Sequence, residues 1–135
     1  MQPIKSRITK SLNHGSLVDT CDNSGAKVLR IISVRGGGSK GVAGRKPSCG
    51  VADLVMASVR RGTPEMRKQV VLAVIVRQRK EFRRATGERI KFEDNAAVVL
   101  KDESGSPKGT LIKGAIPREV AERWPMVSKL GTIIV

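Results

Sequence analysis

A stretch of fifteen residues, Arg77 to Lys91, sets the strongest limit on how this chain can fold. It carries seven basic side chains against two acidic ones, and it lies between two apolar, β-branched segments at residues 70–76 and 96–100. A segment this charged cannot enter a hydrophobic core, so it is expected to project from a β scaffold. Gly87 suits a positive φ, which predicts a long two-stranded ribbon over about residues 77–92 with its arginines along both edges.

The charge of this stretch also indicates a partner. Cations this close together repel one another unless anions lie between them, and the phosphate backbone of a nucleic acid is an ordered array of anions. The formal net charge is +14, of which +8 falls in residues 60–91, whereas residues 92–135 are neutral. We therefore expect a nucleic-acid face and a separate C-terminal region with another role. No apolar run approaches the ~18 residues of a membrane-spanning helix, so a membrane is not expected as the partner.

Short apolar segments between Gly-rich turns predict the fold. Five strands are expected, at residues 15–21, 26–34, 51–59, 70–76 and 96–100, with residues 110–112 as a short strand or edge. Helices are expected only near the end, within about residues 115–131, where Pro117 begins one helix and Pro125 stops it; a second helix spans residues 126–130, and the apolar tail packs onto the protein. The prediction is a mainly β protein, a small closed five-stranded antiparallel β-barrel with a projecting basic ribbon and two short C-terminal helices.

The length of 135 residues fits one domain. Residues 1–15 are interpreted as a basic extension, either a disordered tail or an arm that orders on RNA, and residues 16–135 as a single barrel domain. Cys21, Cys49 and the single His14 predict no metal site, no cofactor and no disulfide framework, which favours the reducing cytosol. No acid, base or nucleophile constellation indicates an enzyme.

Residues 35–50 form a glycine-rich segment with interspersed cations. The glycines allow close approach of the backbone to an anion, while the cations neutralise it. No Gly-Lys-Ser/Thr follows to open a helix, so a nucleotide-binding P-loop is not predicted. We interpret the segment as a loop that moulds onto RNA, with a plain surface loop as the alternative.

The chain has few aromatic side chains to stack on bases. Phe82, Phe92 and Trp124 are the only ones, so recognition of folded RNA through its backbone is favoured over base stacking. Phe92 is predicted in the core, and Phe82 either contacts a base or sugar or packs the ribbon. The predicted RNA-contacting residues are Arg77, Arg79, Lys80, Arg83, Arg84, Arg89 and Lys91 on the ribbon, and Lys27, Arg35, Lys40, Arg45, Lys46, Arg60, Arg61, Arg67 and Lys68 elsewhere.

Three stretches, at residues 22–27, 62–68 and 73–100, also match a known family, and the core of the match is Phe92-Glu93-Asp94-Asn95-Ala96. Through them the chain resembles the universal large-subunit ribosomal protein fourteen family, in its archaeal and eukaryotic branch. Pro117-Arg118-Glu119 and Trp124-Pro125 extend the resemblance toward the end. Thr86 departs from the Asp or Asn that the family usually has before the ribbon glycine.

The resemblance implies a structural constituent of the large ribosomal subunit in the cytoplasm, which binds large-subunit rRNA near the subunit interface. It further implies a contribution to assembly, a bridge to small-subunit rRNA, and contacts of the C-terminal region with neighbouring ribosomal proteins and an anti-association factor. We predict Glu119 and Trp124 as part of that docking surface; the alternative is that Trp124 packs the helices onto the barrel. The alternative function is a free-standing OB-like protein that binds single-stranded nucleic acid.

Overall fold

The computed structural model describes residues 6–35 and 46–135. Lys40, Arg45 and most of the predicted glycine-rich loop lie outside the described residues. The strands are β1 Leu12–Asn13, β2 Leu17–Thr20, β3 Ala26–Val34, β4 Ser48–Cys49, β5 Leu54–Gly62, β6 Val70–Arg77, β7 Phe82–Arg83, β8 Arg89–Ile90, β9 Ala96–Leu100, β10 Ala115–Ile116 and β11 Ile133–Ile134. The helices are α1 Arg118–Arg123 and α2 Pro125–Leu130.

Five strands close into a barrel in the order β2-β3-β5-β6-β9, which confirms the predicted architecture. Consecutive strands in that order pair antiparallel, but the closing pair, β2 with β9, is parallel, with Asp19 opposite Ala96 and Thr20 opposite Ala97. The prediction of an antiparallel barrel is therefore wrong for this pair. Because no hairpin joins β2 to β9, no tight turn requires them to run in opposite directions.

One hydrophobic core fills the barrel. Leu29 and Ile31 of β3 point inward and are 0% and 1% exposed, while Arg30 and Ile32 between and after them face outward. Alternate residues of a strand face opposite sides, so β3 supplies one face to the core and one to solvent. The inward residues of the other strands, such as Val55 on β5, complete the cluster.

A second core lies outside the barrel wall. The outward residues of β6 and β9, including Val76 and Val98, pack with Ile116, Val120 and Trp124 of the C-terminal region. Strands β6 and β9 are consequently covered on both faces. This explains why their sequences are continuous apolar runs without a polar alternation.

Strand β5 begins three residues later than predicted. Ala52 adopts a φ of 71°, and the carboxylate of Asp53 accepts a hydrogen bond from the backbone N of Gly50 at 2.9 Å. These residues form a turn, so the predicted strand over residues 51–59 is shifted to Leu54–Gly62.

The C-terminal elements follow the prediction closely. Both short helices are present, and the tail packs as β11, parallel to β10. Residues 110–112 do not form the predicted short strand; only Ile112 makes an isolated bridge, to Asp22.

Part of the predicted N-terminal extension packs onto the domain. Leu12 and Asn13 form β1, which pairs antiparallel with β4, and Leu12 is buried. In the described residues, no helix is long and apolar enough to cross a membrane.

Candidate nucleic-acid interface

The ribbon is a short hairpin. Its strands pair at only two positions, Phe82 with Ile90 and Arg83 with Arg89. The predicted long two-stranded ribbon over residues 77–92 is therefore wrong in its length, although the chain does fold back where expected.

The turn of the hairpin is closed by the backbone. Arg84 N donates to Glu88 O at 2.8 Å, and Gly87 N donates to Arg84 O at 2.9 Å. Gly87 has a φ of 93°, which confirms the positive φ predicted for it. Thr86 precedes it and is exposed.

Gln78 lies between the barrel and the hairpin, and its backbone O accepts a hydrogen bond from Phe92 N of the returning stem at 3.1 Å. Its side chain is fully buried; Nε2 donates to Thr9 O at 2.9 Å and to Lys80 O at 3.0 Å, while Oε1 accepts from Val51 N at 3.0 Å. These bonds satisfy the buried side-chain amide and one backbone group each of Thr9, Lys80 and Val51. They also fix the base of the ribbon to the N-terminal segment and to the turn before β5.

Arg77, predicted as a phosphate contact, is held inside the protein. Its Nε and Nη2 donate to the two carboxylate oxygens of Asp94 at 2.9 and 3.2 Å, and Nη1 donates to the carbonyls of Lys113 at 2.9 Å and Ala115 at 3.2 Å. Its side chain is 12% exposed. A Cβ at Gly114 would collide with this guanidinium. Arg77 therefore joins β6 to the segment before α1.

Arg84 makes a second tie of the same kind. Its Nε and Nη2 donate to the carboxylate of Glu119 at 2.8 and 3.2 Å, and Nη2 also donates to Val135 O at 2.7 Å. The two side chains are 9% and 11% exposed. Arg84 thus fastens the ribbon to α1 and to the tail, so the predicted display of arginines along both edges is wrong for this residue.

The aromatic side chains lie mostly inside the protein. Phe82 is 1% exposed, so it packs the ribbon onto the core, while Phe92 is half-buried against the same cluster. Trp124 is 1% exposed, donates from Nε1 to Ala52 O at 2.9 Å, and covers Gly105 so closely that a Cβ there would lie 2.7 Å from the indole ring.

The predicted docking pair is likewise internal. Glu119 is bound to Arg84, and Trp124 packs the short helices onto the barrel, as the alternative interpretation had it. Neither side chain offers an exposed surface to a protein partner.

Two of the other ribbon cations have local partners. Arg79 is exposed, and its Nε donates to Glu93 O at 2.9 Å. Lys80 Nζ lies 3.3 Å from Glu81 Oε1. The pKa of Glu81 is lowered, first by a hydrogen bond from its own backbone N–H and then by Lys80. These cations stay on the surface, but Lys80 is partly neutralised.

Arg83 and Arg89 are the most available cations of the ribbon. They lie directly opposite each other across the hairpin, and both are exposed, as is Lys91. Among the described residues, none accepts a hydrogen bond from their side chains or forms an ion pair with them. Like charges opposite each other across a strand pair destabilise it. An anion between the two guanidinium groups would remove that repulsion.

The secondary set of predicted contacts is spread over the barrel. Arg35 forms an ion pair with Glu103. Exposed and on or beside the barrel strands are Lys27, Arg60, Arg61, Arg67 and Lys68, and Lys46 is exposed just before β4. Arg30 is exposed too and was missed by the sequence analysis, although its place between the inward Leu29 and Ile31 marks it as an outward residue.

The cysteines contribute no reactive thiol to this surface. Both are buried, and burial raises the pKa of Cys21 to about 12, so that its thiol stays protonated near neutral pH. Within residues 6–35 and 46–135, no group of three or more His, Cys, Asp and Glu side chains could hold a metal ion.

The sequence was compared with protein families and with known proteins. The family model described as ribosomal protein L14p/L23e matches residues 11–135. The chain is 52% identical to a protein of Nanoarchaeum equitans over 135 residues, covering 100% of both chains, and 52% identical to one of Methanococcus vannielii over 134 residues, covering 99% of both. A protein of Halobacterium salinarum is 52% identical over 135 residues, again covering 100% of both chains. All three relatives are named large ribosomal subunit protein uL14.

Proposed function

The chain belongs to the ribosomal protein L14p/L23e family, and we propose that it is a structural constituent of the large ribosomal subunit in the cytoplasm and binds large-subunit rRNA. The observation that carries the RNA-binding part is the opposed pair Arg83 and Arg89, exposed and without a side-chain hydrogen bond or ion pair among the described residues. A phosphate between them accepts charge-assisted hydrogen bonds from both guanidinium groups. Lys91 and the exposed cations of the barrel extend this contact.

The binding mode follows from the aromatic residues. The chain has three of them, and none is fully exposed: Phe82 and Trp124 are buried, and Phe92 is half-buried. A protein that holds single strands by stacking needs exposed rings. The surface therefore suits the backbone and shape of folded RNA.

The two arginines that are bound to carboxylates have a different role in this proposal. Arg77 and Arg84 hold the ribbon against the C-terminal region through Asp94 and Glu119. They are positioning residues, because they keep Arg83 and Arg89 in place before RNA arrives. A preordered contact loses less conformational entropy on binding than a mobile one.

The finer part of the proposal concerns neighbours within the ribosome. We expect a contribution to subunit assembly, a position near the subunit interface and a bridge to small-subunit rRNA, supported by the family resemblance of residues 22–27 and 73–100. The C-terminal region would meet neighbouring ribosomal proteins and an anti-association factor. Its support is the zero net charge of residues 92–135 and the exposed apolar tail, where Ile133 is 55% and Ile134 49% exposed.

A salt series on rRNA binding tests the RNA contact. We expect the Arg83→Gln/Arg89→Gln variant to bind large-subunit rRNA more weakly than the wild type and to reduce the slope of log affinity against log salt by about 1 to 2. The control of equal charge is Lys101→Gln/Lys129→Gln, two exposed lysines of the neutral segment, which should leave the slope unchanged. Equal slopes for the two double variants would exclude the ribbon as a principal contact.

Sedimentation tests the ribosomal role itself. The tagged chain should sediment with large subunits and stay there through a wash at moderate salt. Recovery in the soluble pool, with affinity for single strands, would instead support the free-standing OB-like protein.

A further inference from the structure

A second cationic site lies on the outer wall of the barrel, away from the ribbon. A cleft of about 580 Å³ opens where β2, β3 and β5 meet. We call it the wall cleft; its floor and rim are formed by Leu17, Asp19, Val28, Arg30, Arg60 and Arg61. It shares no lining residue with the groove beneath the ribbon hairpin.

An irregularity in strand pairing places two successive arginines at this cleft. Val28 pairs with Arg61 and Leu29 with Val59, so Arg60 is an extra residue on β5. In a regular strand one of two successive side chains would face the core. The bulge re-aims them, and both Arg60 and Arg61 are exposed.

Arg30 completes the cationic rim. It lies opposite Leu17 in the β2–β3 ladder, and its guanidinium passes over Gly15, 3.8 Å from where a Cβ of that residue would be. Gly15 has a φ of 85°, which favours glycine and leaves this side of the cleft open.

The three guanidinium groups are available for an external anion. Within residues 6–35 and 46–135, none of Arg30, Arg60 and Arg61 has a side-chain hydrogen bond or an ion pair with another residue. Among the residues that the structure describes, Asp19 is the single carboxylate in the lining. The cleft thus carries three arginines against one carboxylate, an excess of about two positive charges. The groove beneath the ribbon has a similar excess, but there Arg84 is already bound to Glu119.

The cleft also has an apolar part. Leu17 is 60% exposed although it lies on a barrel strand, and Val28 beside it is half-buried. An exposed leucine next to arginines offers contact area to a flat or puckered ring whose substituents are anionic. A ribonucleotide unit has this combination, with its ribose or base against the apolar residues and its phosphate against the cations.

We propose that the wall cleft is a second RNA-binding site, which takes one nucleotide of a folded RNA, the phosphate between Arg30, Arg60 and Arg61 and the sugar or base on Leu17 and Val28. The proposal rests on the RNA-binding function proposed above and adds a separate site to it. The cleft volume of about 580 Å³ accommodates one nucleotide.

Two variants separate the polar and the apolar contact. For Arg30→Gln/Arg61→Gln we expect weaker binding of large-subunit rRNA and a salt slope reduced by about 1, because one phosphate contact is lost. For Leu17→Ser we expect affinity to fall roughly fivefold with an unchanged slope, because only partial apolar burial is lost. Since all three side chains are exposed, both variants should unfold at the wild-type denaturant concentration.

Comparison of the cleft variants with the ribbon variant shows which proposal is wrong if the expected losses of binding are not found. If both cleft variants bind rRNA as the wild type does, while Arg83→Gln/Arg89→Gln binds less, the wall cleft is not an RNA site and the proposed function stands. If Leu17→Ser has no effect, the cleft does not hold a nucleotide and the inference is wrong. Loss of a neighbouring ribosomal protein with intact rRNA binding would make the cleft a protein interface. If the wild type binds no rRNA, both the inference and the proposed RNA contact are wrong.

Ultraviolet crosslinking tests the wall cleft independently, on the unaltered chain. Ultraviolet crosslinking of bound large-subunit rRNA should attach nucleotides to β2 and β3 peptides containing Leu17 and Val28. Crosslinks confined to the ribbon would overturn the inference.

Discussion

The ribbon and the wall cleft show how differently two cationic regions of one protein can be built. The ribbon has the denser charge in sequence, yet Arg77 and Arg84 are bound to carboxylates of the C-terminal region. The wall cleft has only three arginines, brought together from β3 and β5, and all of them are exposed. Charge density along the chain therefore overstates the charge available to RNA, because two of the seven ribbon cations are held by carboxylates of the C-terminal region.

The difference arises from where the partners of each arginine lie. A nearly buried guanidinium needs a carboxylate and further acceptors, because desolvation of an unpaired charge is costly. Asp94 and Glu119 meet that need on the ribbon. Exposed arginines keep their hydration and exchange it for phosphate when RNA binds.

The largest effect that would test this comparison is on stability. Removing the side chain in Arg84→Ala leaves Glu119 nearly buried without its partner and removes one of the hydrogen bonds that Val135 O accepts. We expect the free energy of unfolding to fall by about 3 kcal/mol. Denaturation by urea, followed by circular dichroism, measures it.

The neighbouring Arg83 supplies the matched control. Because it is exposed, Arg83→Ala should change the free energy of unfolding by less than about 0.5 kcal/mol. Similar losses for the two variants would mean that Arg84 is not the internal tie described above.

A smaller effect is expected at the turn of the hairpin. Gly87 has a φ of 93°, and a Cβ there would meet nothing within 4 Å, so Gly87→Ala suffers backbone strain alone. We expect a loss of about 1 kcal/mol in the free energy of unfolding.

Asparagine at the same position is the informative comparison, because it tolerates left-handed backbone better than alanine. Gly87→Asn should recover part of the loss. If alanine and asparagine cost the same, or neither costs anything, the turn does not require a positive φ.

The smallest effect concerns the repulsion between Arg83 and Arg89 in the unbound protein. Arg83→Gln should raise the free energy of unfolding by roughly 0.2 to 0.5 kcal/mol at low salt. The gain should shrink near 1 M salt, where charges are screened over about 3 Å. A gain independent of salt would point to a cause other than charge.

The barrel was predictable because its long strands are marked by apolar, β-branched runs. Ala26–Val34 and Ala96–Leu100 lie at the predicted bounds, and residues 70–76 lie within β6. The parallel direction of the β2–β9 pair was not predictable, since hydrophobic pattern carries no information on strand direction. The turn before β5 was not predictable either, because alanine, the residue at position 52, rarely adopts a positive φ.

The cationic surfaces were predictable only as a set of charges. The sequence shows which ribbon residues are basic, but it does not show which of them are paired. Asp94 and Glu119, which bind Arg77 and Arg84, are 17 and 35 residues away. No local pattern joins such partners. The wall cleft depends on strand register and on the bulge at Arg60, which a sequence read by periodicity does not reveal.

The central claim is that the exposed arginines bind RNA, whereas the arginines bound to carboxylates stabilise the fold. Arginine-specific modification by phenylglyoxal tests this claim most directly. The unbound chain and its complex with large-subunit rRNA would be modified in parallel, and each arginine read out by mass spectrometry. We predict that Arg83, Arg89, Arg30 and Arg61 react in the unbound chain and are protected in the complex, while Arg77 and Arg84 react little in either. Strong modification of Arg77 and Arg84 in the unbound chain, with protection by RNA, would contradict the account.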